Sequence, residues 1–520
     1  MLFLFRADSS SVIGSGHVYR CLTLARVLRD QGAQCAFLCR NLFGGVVEVI
    51  RTAGFEVHEL GVSPCQATER VLAVNDDGYG HWLGTSWAKD AADTISMIAD
   101  RKPHWLVVDH YALDHCWERA VRPYCRNIMV IDDLADRPHD CDLLLDQNAV
   151  ANADARYEDK VPRACHLMLG PRYALLQPQY AALRDKVSPR SGVVRRVLVY
   201  FGAADAGNLT GLAVDALLEL ARPDIYVDVV VDPTHAHAAT LGAQLAAHPN
   251  FRMHGRLPTL APLMQSADLA IGAGGATSWE RCCLGLPALV ITLADNQRAI
   301  AAELDRLGVL GWLGHQGEVG VAALRKALGQ FIEGQHGAEW SRRALALVDG
   351  LGAGRVAEML LLSGDTPMRA RPAAAGDEAL LLHWANDPAV RRNSFNQSLI
   401  DPAQHHRWFA SRLGDAGCRI YIVETELGQA VGQVRLEREE ENWVIDYSLG
   451  APFRQRGLGC ALLTTALAAF SCEHGAAGLK ARVKAGNVAS CKVFQALGFK
   501  REELGEQGEV RVFHRSVGGE

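Results

Sequence analysis

A histidine inside a glycine loop is the first residue in this sequence that could do chemistry. The segment GSGHVYR, Gly14 to Arg20, lies between an apolar run and a helix-like stretch. Gly14 and Gly16 let the backbone approach a ligand closely. Amide N–H groups at a helix start favour an anion. His17 stands there as a base that could activate water. Asp8, Asp109, His110 and Tyr111 also end strands or open loops. Asp8 and Asp109 are further catalytic candidates, and Tyr111 is a ligand contact. Asp109 could instead cap the following helix. Asp132 and Asp133 read as turn and cap residues.

Two later loops suit a nucleotide. FGAADAGNLT (Phe201 to Thr210) offers Gly202 and Asn208. GAGGATSWERCCLGLP (Gly272 to Pro287) offers Gly274, Gly275 and Thr277 for a diphosphate at a helix start. Glu280, further along, could accept hydrogen bonds from ribose hydroxyls. The segment ADNQ supplies Asn296 and Gln297, whose amides suit sugar hydroxyls. Each of these alone reads equally as an ordinary strand-to-helix turn; their recurrence at successive corners is the signal.

A third constellation lies near the C-terminus. APFRQRGLGCALL contains R-x-x-G-x-G, with Arg454, Gly457, Leu458 and Gly459 opening an apolar helix. Successive amides in such a turn can hold a pyrophosphate. Downstream, KAGNVASCKVFQALGFK carries Asn487, Ser490 and Phe494.

The elements that position these residues fall into three series. Leu2–Phe5, Gln34–Leu38, Trp105–Asp109 and Ile128–Asp132 read as strands, and His17–Asp30 and Val46–Ala53 as helices. Continuous apolar runs ending in aspartate suit the centre of a parallel sheet. A second strand–helix series begins near Val193, after the polar segment Asp185 to Gly192. After the small-residue and proline-rich stretch Ser363 to Asp377, read as a linker, IYIVET, AVGQVRLE and NWVIDYSL look antiparallel and precede a helix at Gly457–Phe470. The expected architecture is α/β: two Rossmann-like domains over 1–185 and 192–360, followed by an α+β domain over 368–520.

Bulk properties narrow the class. The chain has 520 residues, too many for one ordinary core, with 49% hydrophobic and 22% charged residues. A formal net charge of -6 leaves no basic footprint for nucleic acid. The 14 cysteines include no C-x-x-C pair and no metal-ligand spacing, so reduced thiols in a cytoplasmic protein, without a metal, are expected. No stretch approaches the roughly 20 apolar residues needed to span a membrane. Oligomeric state is not legible.

The motifs of residues 1–350 resemble two-domain (GT-B) nucleotide-sugar glycosyltransferases. They more closely resemble the UDP-2,4-diacetamido-2,4,6-trideoxy-β-L-altropyranose hydrolases of pseudaminic acid synthesis. The segments that carry this are RADSSSVIGSGHVYRCLTLA, HWLGTSW, VVDHYALD, VIDDLADRPHDCDLLLDQN, LGPRYALLQP and the two glycine loops. The resemblance implies hydrolysis of a UDP-sugar at its anomeric carbon, with His17 catalytic, Glu280 at the ribose and Asn296–Gln297 at the sugar. The chain departs from the pattern at Ala203, Ala204 and Ala206, where a glycine, a serine and a proline are expected. Residues 368–517 resemble GCN5-related N-acetyltransferases, which implies acetyl-CoA as co-substrate. The run from Asn386 to Phe409 resembles the substrate side of acetyltransferases acting on nucleotide amino sugars. Many relatives carry a proton-donating tyrosine where this chain has Phe494, so Glu437, Asp446 and Tyr447 become the acid or base candidates. The expected whole is a bifunctional enzyme that N-acetylates a UDP-4-amino sugar and hydrolyses the UDP-diacetamido sugar. The rival expectations are a UDP-sugar glycosyltransferase with an attached acetyltransferase, and a UDP-sugar sensor.

Overall fold

The computed structural model describes residues 1–61, 78–202, 205–334, 336–454, 456–475, 477–502 and 510–517. Ala203 and Ala204, two of the three departures noted in the second glycine loop, lie outside the described residues. The chain divides into two compact units, Met1–Ala357 and Glu358–Glu520.

The first unit holds two parallel sheets. Strands β1 (Leu2–Ala7), β2 (Gln34–Arg40), β3 (Glu56–Leu60), β4 (Trp105–Asp109), β5 (Asn127–Ile131), β6 (Leu143–Asp146) and β7 (His166–Leu169) form a sheet in the order β3-β2-β1-β4-β5-β6-β7. Strands β8 (Arg196–Tyr200), β9 (Tyr226–Val230), β10 (Phe251–His254), β11 (Leu269–Ala273), β12 (Ala288–Thr292) and β13 (Gly311–His315) form the second, ordered β10-β9-β8-β11-β12-β13. The central strands are apolar throughout and fully buried, as helices on both faces require. Strand order reverses between β1 and β4 in one sheet and between β8 and β11 in the other. The crevice beyond the carboxyl ends of such a pair is where ligands of doubly wound sheets bind.

The two halves of this unit interlock. Ala174, Leu176 and Tyr180 belong by sequence to the first half, yet they pack into the core of the second with Leu260, Met264, Trp279 and Cys283. Gly352 returns so close to the first half that a Cβ there would lie 2.4 Å from the Ala174 carbonyl oxygen. Nor is the expected free linker at Asp185 to Gly192 free. Arg190 donates to the carbonyls of Ala267, Met264 and Gln265, and its backbone N–H donates to Ser341.

The second unit is α+β. Strands β14 (Met368–Pro372), β15 (Cys418–Thr425), β16 (Ala430–Glu439), β17 (Asn442–Leu449), β18 (Ala477–Lys484), β19 (Lys500–Arg501) and β20 (Val510–Val517) form one sheet ordered β14-β15-β16-β17-β18-β20-β19. All pairs are antiparallel except β17 with β18. The stretch from Ser363 to Asp377 is therefore more than a linker, because β14 lies inside it and pairs with β15. Its proline falls at the end of an edge strand, where no ladder donor is needed. The boundary between units falls inside the helix Gly352–Leu361, between Ala357 and Glu358. Among the described residues no helix is long and apolar enough to cross a membrane.

One polar cluster is buried within the first sheet's surroundings. Arg6, inside β1, donates to both oxygens of Asp8 and of Asp90. Arg40 donates to Asp90 at 2.8 Å and to Asp93 at 3.0 Å, and Trp117 Nε1 donates to Asp90 at 2.9 Å. Arg6, Asp8, Arg40 and Asp90 are all fully buried. Asp90→Ala leaves two buried guanidinium groups short of a partner. It is expected to cost about 3–5 kcal/mol of stability, read as a lowered denaturation midpoint, whereas truncating the exposed Glu48 should change the midpoint little.

Candidate active sites at the sheet switch points and in the parted sheet

His17 lies in the first turn of the helix Gly16–Asp30, just after β1. Gly14, at φ +78°, makes the left-handed turn that reverses the loop, and its N–H donates to the Ser10 carbonyl. Asp109 is the last residue of β4, which pairs in parallel with β1. The switch point thus brings His17 Nδ1 within 2.6 Å of Asp109 Oδ1. With Nδ1 donating to a carboxylate, Nε2 carries the lone pair. Among the described residues no side chain or backbone group hydrogen-bonds Nε2.

Arg20, one turn further along the same helix face, donates from Nε to Asp109 Oδ2 at 2.6 Å and from a terminal nitrogen to Oδ1 at 2.6 Å. Its other terminal nitrogen donates to Asp133 at 2.6 Å. Asp133 also accepts from the Tyr111 hydroxyl at 2.7 Å and from the Asn148 amide at 3.0 Å. Burial pushes the Asp109 carboxyl up, but Arg20 and His17 beside it hold it well below the usual carboxylate range. Asp109 is thus a fixed anion that orients His17. The Asp8 expected beside them lies elsewhere. Both its oxygens are taken by Arg6, one also accepts from the Arg40 backbone N–H, and His110 Nε2 is 3.3 Å away. Asp8 and His110 are 1% and 3% exposed, so both are packing partners of the buried ion cluster.

The second switch point carries the glycine loops. Gly202 has φ +92° directly after β8. Asp205 accepts from the N–H groups of Leu209 and Thr210 and so caps the helix Leu209–Glu219, while Asn208 is left-handed at φ +49° just before it. At Gly272 a Cβ would lie 2.2 Å from the Tyr200 carbonyl oxygen, so β8 and β11 can approach only with glycine there. Gly274 and Gly275 then lead into the short helix Thr277–Cys283, which carries Glu280. Burial pushes the Glu280 carboxyl up to about 7, although the Tyr180 hydroxyl bonds to it and works the other way. Asn296 and Gln297 open the helix Asn296–Arg306. Gln297 accepts from the Leu293 N–H at 2.9 Å and lies against Gly275, tying the two loops together. Burial pushes the Tyr200 phenol up to about 12, and both Glu280 and Tyr19 contribute to the rise. Tyr19 follows His17 by two residues.

In the second unit, the parallel pairing of β17 with β18 covers only Asn442–Ile445 against Gly478–Ala481. Beyond it, Asp446–Leu449 and Arg482–Lys484 part. A cavity of about 1140 Å³ fills the opening. Its wall includes Tyr447, Gly457, Leu458, Gly459, Asn487 and Ser490. Gly457 caps the 17-residue helix Leu458–His474 at φ +75°. At Gly459 a Cβ would lie 2.9 Å from Val493, so the two helix starts touch across glycine. Asn487 caps the helix Val488–Ala496 by accepting from the Ser490 N–H. The Tyr447 hydroxyl donates to Ser490 Oγ at 3.0 Å, and burial pushes its pKa up to about 12. Phe494 is buried against Tyr447, Phe499 and Phe513. Arg454 braces the loop, donating to the Leu449 carbonyl at 3.0 Å and to Asp387 at 2.7 Å. Glu437 pairs with Arg412 at 3.2 Å and Asp446 with Arg435 at 3.0 Å.

Comparison with known proteins bears on both units. Residues 368–500 match the acetyltransferase (GNAT) domain family. The second unit is a GNAT domain. Residue types and turn geometry at Gly457–Gly459 suit the pyrophosphate of acetyl-CoA, the co-substrate that a GNAT domain implies. The chain is 25% identical over 309 residues to the UDP-2,4-diacetamido-2,4,6-trideoxy-beta-L-altropyranose hydrolase of Campylobacter jejuni, covering 59% of this chain and 97% of that protein. It is 23% identical over 521 residues to the uncharacterized protein MJ1062 of Methanocaldococcus jannaschii, covering 96% of this chain and 97% of that one. The crystal structure of Acinetobacter baumannii MurG superposes with a TM-score of 0.50 and 15% identity, covering 69% of this chain and 98% of MurG. The first unit therefore has the GT-B glycosyltransferase-like fold.

Sequence reasoning missed Arg20, Asp133 and Asn148 around the histidine, and Asp387 behind Arg454. Arg20 alone carried a signal, lying three residues after His17. Gly457→Val forces a β-branched residue into a left-handed conformation and turns its Cβ toward open space at the cavity rim. Strain of about 1–3 kcal/mol should weaken acetyl-CoA binding tens-fold in calorimetric titration.

Proposed function

We propose that the chain is a bifunctional enzyme of nucleotide-sugar metabolism in the cytoplasm. Its first unit hydrolyses a UDP-2,4-diacetamido-2,4,6-trideoxyhexose, the β-L-altropyranose sugar of pseudaminic acid synthesis. Its second unit transfers an acetyl group from acetyl-CoA to the 4-amino group of the UDP-sugar precursor. The observation that carries the reading is the His17–Asp109 pair, at 2.6 Å, in a unit whose second sheet carries glycine loops suited to a diphosphate.

In the hydrolytic half, water attacks the anomeric carbon as the bond to the diphosphate oxygen breaks and UDP departs with the electron pair. His17 Nε2 takes the proton of the water, and Asp109 stabilises the imidazolium that forms. Gly202, Asn208, Gly274, Gly275 and Thr277 offer backbone and side-chain donors to the diphosphate charge. Glu280, Asn296 and Gln297 suit ribose and sugar hydroxyls. In the acetylating half, the amine attacks the thioester carbonyl, the C–S bond breaks, the nitrogen gives up one proton to solvent as the amide forms, and the thiolate takes up one, which solvent then restores to its donor. Tyr447 suits the role of donor, because its hydroxyl stays protonated at neutral pH and lies against Gly459 and Ser490 in the cleft. The full-length coverage of the Campylobacter hydrolase by part of this chain, together with the GNAT domain, supports joining the two reactions.

His17→Ala is expected to lower kcat for UDP release by about 10²–10⁴-fold with little change in KM. His17→Asn should be nearly as poor, since an amide cannot take the proton. Acetyl transfer by both variants should remain at the wild-type rate. Mass spectrometry of the products and coupled UDP release check this. Hydrolysis near the wild-type rate in both variants would remove His17 from the mechanism.

A further inference from the structure

The catalytic candidate His17 is walled by aromatic rings that the reaction above does not use. Tyr111 meets the imidazole edge-on with centroids 4.6 Å apart, and Trp82 does so at 6.0 Å. Trp82 is stacked on Tyr111 at 5.5 Å and 24°. Tyr79 meets Trp82 at 4.8 Å and Tyr111 at 5.2 Å, both edge-on. Tyr79, Trp82 and Tyr111 thus form one aromatic cluster against the His17 ring.

The cluster is held in place from behind. The Tyr111 hydroxyl is committed to Asp133, and the Arg137 guanidinium lies 5.9 Å from its ring centroid. Trp82 sits in the short 3₁₀ turn Gly80–Leu83, where the buried Leu83 anchors the backbone and Gly84, at φ +67°, closes the turn. Tyr79 and Trp82 are half-buried, whereas Tyr111 is buried. Burial pushes the Tyr79 phenol up, and the carboxylates of Asp136 and Asp295 add to the rise.

We infer that Trp82, on the wall it forms with Tyr79 and Tyr111, receives the apolar face of the sugar and selects 6-deoxy sugars over those with a hydroxymethyl group. The inference rests on the hydrolase reading. Its physical basis is that the face of an aromatic ring offers no hydrogen-bond donor, the Trp82 N–H and the Tyr79 O–H lying in their ring planes. The Tyr111 hydroxyl and the Arg20 guanidinium are already spent on Asp133 and Asp109. A sugar methyl or C–H face packs on an indole at no polar cost, whereas a hydroxyl facing it loses its water without gaining a partner. An apolar wall rejects an added hydroxyl by at most about 10²-fold, which sets the size of the expected preference.

The experiment compares UDP-2,4-diacetamido-2,4,6-trideoxyhexose with its 6-hydroxy counterpart, reading UDP release. Wild type should prefer the deoxy substrate by about 10–100-fold in kcat/KM. Trp82→Ala should lose about tenfold or more on the deoxy substrate, mainly in KM, and its preference should shrink to about threefold or less. Trp82→Phe should keep most of the preference. UDP affinity, measured by calorimetry, should be equal in all three and shows that the variants are folded. A Trp82→Ala variant that keeps the wild-type preference overturns the inference while leaving the hydrolase reading intact. If wild type releases UDP from neither substrate, the hydrolase reading fails. The inference is then decided by fluorescence titration with the free deoxy and 6-hydroxy sugars. Tighter binding of the deoxy sugar that Trp82→Ala abolishes supports it, and equal binding of both sugars overturns it.

Discussion

The Asp109 carboxylate is the constraint on which the arrangement around His17 depends. It is fully buried at the end of a central strand, and a buried anion survives only with charged partners. Arg20 supplies the charge and spends two of its donors doing so. His17 supplies the remaining strong donor, which fixes its tautomer. Because Arg20 also reaches Asp133, and Asp133 holds Tyr111, the same guanidinium sets the position of the ring that walls the imidazole. Removing the charge at Asp109 therefore disturbs a base, a cation and an aromatic surface together. The parallel pairing of β1 with β4 is what lets residues 92 positions apart share one hydrogen bond.

The sequence exposed this site unevenly. His17 was legible because its loop announces itself through Gly14 and Gly16, and Trp105–Asp109 was legible because a parallel-sheet strand is a continuous apolar run. Choosing between Asp8 and Asp109 was not possible from the same signals, since both follow apolar strands. The arginines decide it. Arg6 hides inside a strand that reads as apolar and claims Asp8, whereas Arg20 is on the helix that carries His17. Trp82 entered only as part of HWLGTSW, with no role of its own, because an aromatic residue in a glycine-bearing stretch carries no periodicity to reveal its neighbours.

The fold follows the same division. Both Rossmann-like series were legible from alternating strands and helices, but β10 (FRMH) and β3 (EVHEL) were not, because short edge strands with polar residues lack the buried-strand signature. The stretch containing β14 read as a linker because its composition is that of one. Its pairing with β15 is a long-range contact that no local pattern encodes. Similarly, nothing local tells that Tyr180 crosses into the second core and bonds to Glu280. In the GNAT domain, the glycines of R-x-x-G-x-G were legible through the turn they demand. The arginine of that motif was assigned to the co-substrate along with the turn, and its Nε and one terminal nitrogen brace that turn through the Leu449 carbonyl and Asp387.

The parting of β17 from β18 has a consequence for the sheet itself. Asp446–Leu449 stay paired with β16 on one side while leaving β18 on the other. The sheet therefore has an edge in its interior as well as at its rims, and the Leu449 carbonyl there is held by Arg454. An interior edge is walled by the helices on the sheet's faces, so it is open to a slender extended molecule and closed to a folded partner.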